Sequence, residues 1–281
     1  MLGSIPSPSD GAIDLGPISL HVYGVLLAIA IVLASIIIER RWKSWGHDPR
    51  QWQEIVVVAV IAGIVGARLY HVATDYEKFE GDWLRAFEIW EGGLAIWGAV
   101  IGGVLGIVVV CRIKHYDTLG FLDALAPALV FAQAIGRWGN WFNQELFGEP
   151  TTLPWALEID AANRPRGFEE FATFHPTFLY ESLFCLALAG GLLWAERRWR
   201  LRRGQLFALY VAAYPSGRFW LEQLRIDDAR LVLGLRVNSW VALAAIAGGI
   251  AWFWWLGRHS TVDEEKYERI GATTTLESPP P

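Results

Sequence analysis

Long apolar runs interrupt a polar chain at seven places, and this pattern predicts seven helices. They span about Ile18–Ile38, Ile55–Thr74, Leu94–Cys111, Leu119–Gly136, Phe178–Ala195, Gln205–Leu224 and Ser239–Leu256. Each is close to the roughly 20 residues that cross a hydrocarbon core of about 30 Å at about 1.5 Å per residue. A helix lying on a soluble domain would turn a polar face outward every third or fourth position, and these runs mostly do not. The fold class expected is all-α, a polytopic integral membrane protein with seven transmembrane helices.

The polar connections give that array a direction. Arg40, Arg41, Lys43 and Arg50 follow the first span, Arg112 and Lys114 the third, and Arg197, Arg198, Arg200, Arg202 and Arg203 the fifth. Between them lie connections poor in net positive charge. Asp75–Glu91 has six acids against Lys78 and Arg85, and Glu149–Glu170 has five against Arg164 and Arg166. Short loops rich in Lys and Arg stay cytoplasmic, so the N-terminus is expected outside and the C-terminus inside. One connection runs against the rule: Arg225–Arg236, with three Arg and two Asp, falls outside by parity.

Residues 1–17 then form an extracytoplasmic N-terminus, 18–257 the membrane domain, and 258–281 a polar, disordered cytoplasmic tail ending in Pro-Pro-Pro. The segment 141–175 is too long for a simple loop and too mixed to span, and is expected to be an extracytoplasmic arm or small cap.

Composition narrows the partners. The chain has 281 residues, 53% of them hydrophobic, and a formal net charge of −5, which argues against nucleic acid. Cys111 and Cys185 both lie inside apolar runs and have neither disulfide nor metal-ligand spacing, so they are expected to be packing residues. No metal or other cofactor is expected. Met1–Gly16 has no Lys or Arg and carries Asp10 and Asp14, the reverse of a cleavable signal's charged start. Gly98, Gly102 and Gly106 repeat at four-residue spacing in the third span and are expected to let helix backbones approach.

Ionisable residues inside spans cost about 2.5–3.5 kcal/mol each on insertion scales, and so require a reason. Here they are Arg68, Asp123, Arg137, Glu181, Arg218 and Glu222, with His21 and Tyr23 near the start of the first span. Tyr214, Arg218, Glu222 and Arg225, spaced by four, four and three, form one stripe on the sixth helix. An Arg218–Glu222 pair alone would serve as a structural lock. With the predicted topology, however, Arg218, Arg137 and Arg68 all fall in the outer half of their spans, and Tyr23 and Trp97 near the outer ends of theirs. That convergence favours a site. The densest run is Gly136-Arg137-Trp138-Gly139-Asn140-Trp141-Phe142-Asn143-Gln144-Glu145-Leu146-Phe147-Gly148. Its glycines permit close backbone approach, its arginine suits a phosphate bidentately, and its asparagines suit a hydroxylated head group. Two arginines in one layer point to an anionic lipid.

This run resembles the signature G-R-x-G-N-F-x-N-x-E-x-x-G of bacterial prolipoprotein diacylglyceryl transferases. Other segments agree in the same order: His21-Val22-Tyr23-Gly24, Gly66-Ala67-Arg68-Leu69, Asp123-Ala124-Leu125-Ala126-Pro127, His175-Pro176-Thr177-Phe178-Leu179-Tyr180-Glu181, and the stripe Tyr214, Arg218-Phe219, Glu222 and Arg225. The resemblance covers about Ile18–Trp255. It implies an enzyme of the bacterial cytoplasmic (plasma) membrane that moves the diacylglyceryl group of phosphatidylglycerol onto the lipobox cysteine thiol of a preprolipoprotein signal peptide, releasing glycerol phosphate. By the same resemblance Arg137, Arg218, Glu222 and Tyr23 are catalytic. Arg137, Asn140, Glu145, Gly148, Tyr214, Arg68 and His21 hold substrate, and the partners are membrane lipid and the signal peptide. Many members place a histidine, proposed as general base, where this chain has Trp97. His21, His175 and Glu222 remain candidates for that role, and thiolate formation aided by the arginines alone is the reading favoured. The competing function is an anion or lipid transporter with an arginine-lined path, which would place its ionisable residues near the midplane within an internal repeat.

Overall fold

The computed structural model describes the chain except residues 1–3, 9, 16–17, 89–92, 94, 228, 230 and 277–281. Among the described residues it is helical, with three small two-stranded antiparallel sheets. The helices are α1 (Val22–Ser44), α2 (Pro49–Thr74), α3 (Ile96–Lys114), α4 (Thr118–Phe142), α5 (Thr177–Arg198), α6 (Gln205–Glu222), α7 (Val237–His259) and α8 (Glu264–Leu276). Six of them, α1 to α5 and α7, are long and apolar enough to cross a membrane. The sixth predicted span, α6, forms over 18 residues but stays outside that set, because Tyr214, Arg218 and Glu222 interrupt its apolar sequence.

The chain divides into two units, Glu39–Phe121 and the remainder. In the Glu39–Phe121 unit, Asp48 opens α2 by accepting a hydrogen bond from the Arg50 amide (2.9 Å), with Pro49 at the first helical position. α2 and α3 then pack backbone to backbone. A Cβ on Gly98 would lie 2.2 Å from the Gly66 carbonyl oxygen, and one on Gly102 would lie 2.2 Å from that of Ala62. The small-residue spacing is used for packing, as expected.

In the other unit, small faces of α4 and α5 meet α6 around Ala126, Val130, Ala134, Cys185, Ala189, Leu206 and Tyr210. Both cysteines are buried thiols. Asp123, 2% exposed, reaches across from α4 and accepts hydrogen bonds from the amides of Gly204 (2.8 Å) and Phe207 (3.0 Å). Those amides open α6 and have no carbonyl partner one turn earlier, so this buried carboxylate caps the helix that carries the polar stripe.

The start of the first helix and the end of the fourth differ from the sequence reading in ways that bear on the site. Ile18–His21 is strand β2, paired with β1 (Ala12–Leu15), and the first helix begins at Val22. The alternation Ile18-Ser19-Leu20-His21 has the period of a strand, and the apolar run beyond it masked that signal. α4 continues past the predicted end at Gly136 to Phe142, so Arg137 and Asn140 both sit on the helix. Gly139 serves close approach within it: an added Cβ would lie 2.1 Å from the Tyr23 ring.

The tail expected to be disordered contains α8. Lys266 and Tyr267 are buried there, the ammonium 2.7 Å from Glu196 Oε1 and the phenol donating to the Leu201 carbonyl at 3.1 Å. Polar composition predicts disorder when no apolar surface can be buried, but here distant charges supply the partners. The start of the third predicted span at Leu94 and the terminal Pro279–Pro281 fall outside the described residues.

Candidate functional site

The 141–175 arm folds as a small cap after α4. Phe147, Leu157, Ile159, Phe174 and Phe178 form its core, and β3 (Leu157–Glu158) pairs with β4 (Thr173–Phe174). Gln144, 5% exposed, is locked in place. Its amide nitrogen donates to Asp160 Oδ2 (2.6 Å) and the Pro8 carbonyl (3.0 Å), and its oxygen accepts from the Asp160 amide (2.8 Å). This anchoring fixes the end of α4 on which the predicted site residues lie.

Below the cap, α4, α5 and α6 enclose a small cavity lined by Arg137, Asn140, Leu146, Thr177, Glu181 and Arg218, with Phe178, Leu221 and Arg225. Its centre is a carboxylate. Glu181 Oε1 lies 2.9 Å from Arg137 Nε, and its other oxygen accepts from Arg218 at 2.7 Å. The Tyr214 hydroxyl donates to Glu181 (3.3 Å) and accepts from Arg137 (3.3 Å). Both arginine side chains keep 22% of their surface exposed, whereas that of Glu181 keeps 5%.

A second carboxylate extends the network. Glu222, 1% exposed, lies 3.3 Å from Arg218, 3.6 Å from Arg225 and 2.9 Å from Arg236, and accepts from Asn238 at 3.1 Å. Arg225 also grips Asp227 through two hydrogen bonds (2.7 and 2.9 Å), and Arg236 donates to the same carboxylate at 2.8 Å. Burial pushes the Asp227 carboxyl up, but these two arginines outweigh it and hold it below the usual carboxylate range. The arginine-rich connection that broke the charge rule therefore spends Arg225 and Arg236 on Glu222 and Asp227. Arg230 and Asp228 of that connection lie outside the described residues.

Of the predicted residues, Arg137, Tyr214, Arg218, Glu222 and Asn140 come together here. Asn140, 6% exposed, donates to Glu145 Oε1 at 2.9 Å, and Asn143 donates to the same oxygen at 3.1 Å. Gly148 is buried in the cap's seam; an added Cβ would lie 2.9 Å from both the His175 Cβ and the Leu224 carbonyl oxygen. Tyr23 borders the site through Gly139, and His21 lies exposed at the end of β2.

Arg68 and Trp97 belong to the Glu39–Phe121 unit. There Arg68 donates to the carbonyls of Ala86 (2.8 Å), Gly93 (3.4 Å) and Arg85 and lies over the Phe79 ring. Trp97 is 47% exposed. His175 pairs its Nδ1 with the Tyr180 hydroxyl at 3.0 Å.

Sequence reasoning noted Glu181 as an ionisable residue in a span but gave it no role. The signal was present: a glutamate costs as much inside a span as the arginines do, and its partners had to be found among them.

The profile of the prolipoprotein diacylglyceryl transferase family matches residues 10–255. The chain is 51% identical over 250 residues to the phosphatidylglycerol–prolipoprotein diacylglyceryl transferase of Cutibacterium acnes, covering 88% of this chain and 84% of that one. It is 50% identical over 246 residues to the enzyme of the same name from Streptomyces griseus, covering 86% and 74%. With that of Corynebacterium glutamicum it shares 44% identity over 290 residues, covering 99% and 92%. None of these relatives carries a transporter's name, and the match spans the cap, the arginine–carboxylate network and both units: the chain belongs to the prolipoprotein diacylglyceryl transferase family.

Proposed function

We propose that the protein transfers the diacylglyceryl group of phosphatidylglycerol to the thiol of a lipobox cysteine in preprolipoproteins, with Arg137 and Arg218 as the clamp for the lipid phosphate. The observation that carries the clamp is the meeting of these two arginines, from α4 and α6, on one carboxylate in a lined cavity. Glu181 occupies the position of an anion between two planar forks, and a phosphodiester offers the same pair of acceptor oxygens. In the reaction sulfur bonds to the glyceryl carbon, the bond from that carbon to the phosphate oxygen breaks, and glycerol phosphate departs. Negative charge grows on the leaving phosphate, and fixed guanidinium groups in a site poor in water stabilise it. The same cations favour the thiolate of the incoming cysteine, whose free pKa is about 8.5.

Around the clamp, Asn140, Glu145 and Gly148 shape the head-group end, Tyr23 closes it beside Gly139, and Tyr214 orients Arg137. Glu222 holds Arg218 in place. The seven-span arrangement, with the N-terminus and the 141–175 cap outside and the C-terminus cytoplasmic, belongs to this proposal. So does the bacterial cytoplasmic membrane as its location. That topology brings the clamp near the outer leaflet, where a lipobox cysteine emerges from its signal helix.

The test is incorporation of label from acyl-labelled phosphatidylglycerol into a lipobox peptide by the purified protein. Transfer to the cysteine peptide and none to its serine counterpart is the expected result. Absence of transfer, while a known transferase works in the same assay, would overturn the reading.

A further inference from the structure

Alkylation of a thiol releases a proton, and among the residues that line the cavity Glu181 is the one carboxylate that could take it. We propose that Glu181 is the proton acceptor, set free for that role when the lipid phosphate takes its place between Arg137 and Arg218. The inference rests on the phosphate clamp proposed above.

Three observations lead to it. Glu181 lines the cavity together with both arginines, so its carboxylate lies where the reacting groups must meet. Its two oxygens are engaged by different cations, one by Arg137 and one by Arg218. A phosphodiester that takes up both forks, as the clamp requires, displaces the carboxylate from at least one of them. The groups facing Glu181 are Arg137 of α4, Tyr214 and Arg218 of α6, and Cys185 of its own helix. No histidine is among them.

Glu222 does not compete for the part. It is held by Arg218, Arg225 and Arg236 together with Asn238, it is 1% exposed, and it does not line the cavity. His175 engages Tyr180, and His21 is exposed at a strand end.

Between the two guanidinium groups both carboxylate oxygens are engaged; withdrawn from one of them, an oxygen is free to accept the thiol's proton. Lipid binding would therefore create the base and present the carbon to be attacked in one event. The steps balance. The thiol gives its proton to Glu181 as sulfur bonds to the glyceryl carbon. The electron pair of the breaking carbon–oxygen bond goes to the phosphate, and Glu181 passes the proton to the departing glycerol phosphate. An empty clamp leaves the carboxylate neutralised, which protects the protein from unproductive thiol chemistry and orders the substrates, lipid before peptide.

The measurements are single-turnover transfer, phosphatidylglycerol binding in mixed micelles and the pH profile, on full-length Glu181→Gln and Glu181→Asp. Glu181→Gln should transfer about 100-fold more slowly or worse at neutral pH, in the range of general-base effects. It should bind phosphatidylglycerol as tightly as the parent or more so, because an internal competitor is gone. Its rate should climb about tenfold per pH unit as the thiol ionises unaided, where the parent is flat. Glu181→Asp, which keeps a base set farther back, should lie between the two and keep the parent's pH profile.

Transfer by Glu181→Gln within about threefold of the parent overturns the proposal. So does a loss explained by weaker lipid binding with the parent's pH profile, the signature of a residue that only positions the arginines. Should Glu181→Gln fail to fold, Glu181→Asp decides on the same split between rate and binding. The clamp stands or falls separately. Retained lipid binding and transfer in Arg137→Ala and Arg218→Ala would remove it whatever Glu181 does. Inactive arginine variants beside an active Glu181→Gln would remove only the base.

Discussion

Two arginine sites in this chain use the same side chain in opposite ways. In the Glu39–Phe121 unit, Arg68 reaches main-chain carbonyls of the connection between α2 and α3 and covers an aromatic ring. The described acceptors are neutral and belong to the backbone, so they cannot leave, and the arginine holds a loop. In the other unit, Arg137 and Arg218 face a carboxylate on a side chain, keep part of their surface exposed and line a cavity. An anionic partner on a rotatable side chain can be exchanged for another anion. Position within a span does not distinguish the two cases, but the nature of the acceptor does.

The contrast is broken first by the clamp itself. Arg137→Ala and Arg218→Ala should each lower transfer about 10³-fold or more, since losing one fixed donor to developing charge costs about 10²–10³ elsewhere and here a full charge is lost. Both should still be found in the membrane fraction, which quantitation of the folded, inserted protein checks. Activity near that of the parent in either would place the clamp with the structural arginine.

Glu222→Gln should have the next largest effect. It leaves Arg218, Arg225 and Arg236 without their shared counter-charge, and removing one member of a buried ion pair costs about 3–5 kcal/mol. Lower thermal stability accompanied by a fall in turnover of about 10–100-fold is expected. A stable, fully active variant would mean that Arg218 holds its place without Glu222. Arg68→Ala sharpens the comparison from the other side. Its cost should appear as a melting temperature lower by several degrees, while turnover per folded molecule stays within about threefold, in keeping with lost hydrogen bonds to carbonyls at about 1 kcal/mol each. A selective loss of lipid binding would instead bring Arg68 into the substrate site. Trp97→His should be the mildest, with transfer within about twofold of the parent, because a half-exposed side chain contributes little to packing. A sharp loss would reveal a contact between that indole and lipid.

The sequence made these comparisons possible only in part. Apolar runs located the six helices long and apolar enough to cross a membrane, since the hydrocarbon core sets a minimum length for each. The polar stripe of α6 and the Arg137–Gly148 run pointed to the candidate site because ionisable groups in a span are conspicuous. What stayed hidden were pairings between distant residues. Glu181 meets Arg218 across 37 positions, and Asn238 reaches Glu222 from beyond a hairpin. Neither follows from local periodicity. α8 was missed similarly, its acid and basic residues looking solvated until Glu196 and Leu201 supplied partners. The strand before α1 and the last turns of α4 were lost to a simpler cause, a run of apolar or glycine-rich residues that fits more than one conformation.

Asp123 makes α6 behave like an indexed shaft. By capping the amides of Gly204 and Phe207, it fixes the angular phase at which that helix starts. Successive residues turn by about 100°, so the direction of Arg218 is set at the far end of the rod. One residue inserted between the cap and Tyr214 would swing the whole stripe through about that angle, aiming the arginine away from α4 and α5 while leaving every residue of the site present. The chemistry thus depends on a count of residues as much as on their identities, and lengthening α6 should be tolerated far less well than altering its lipid-facing side chains.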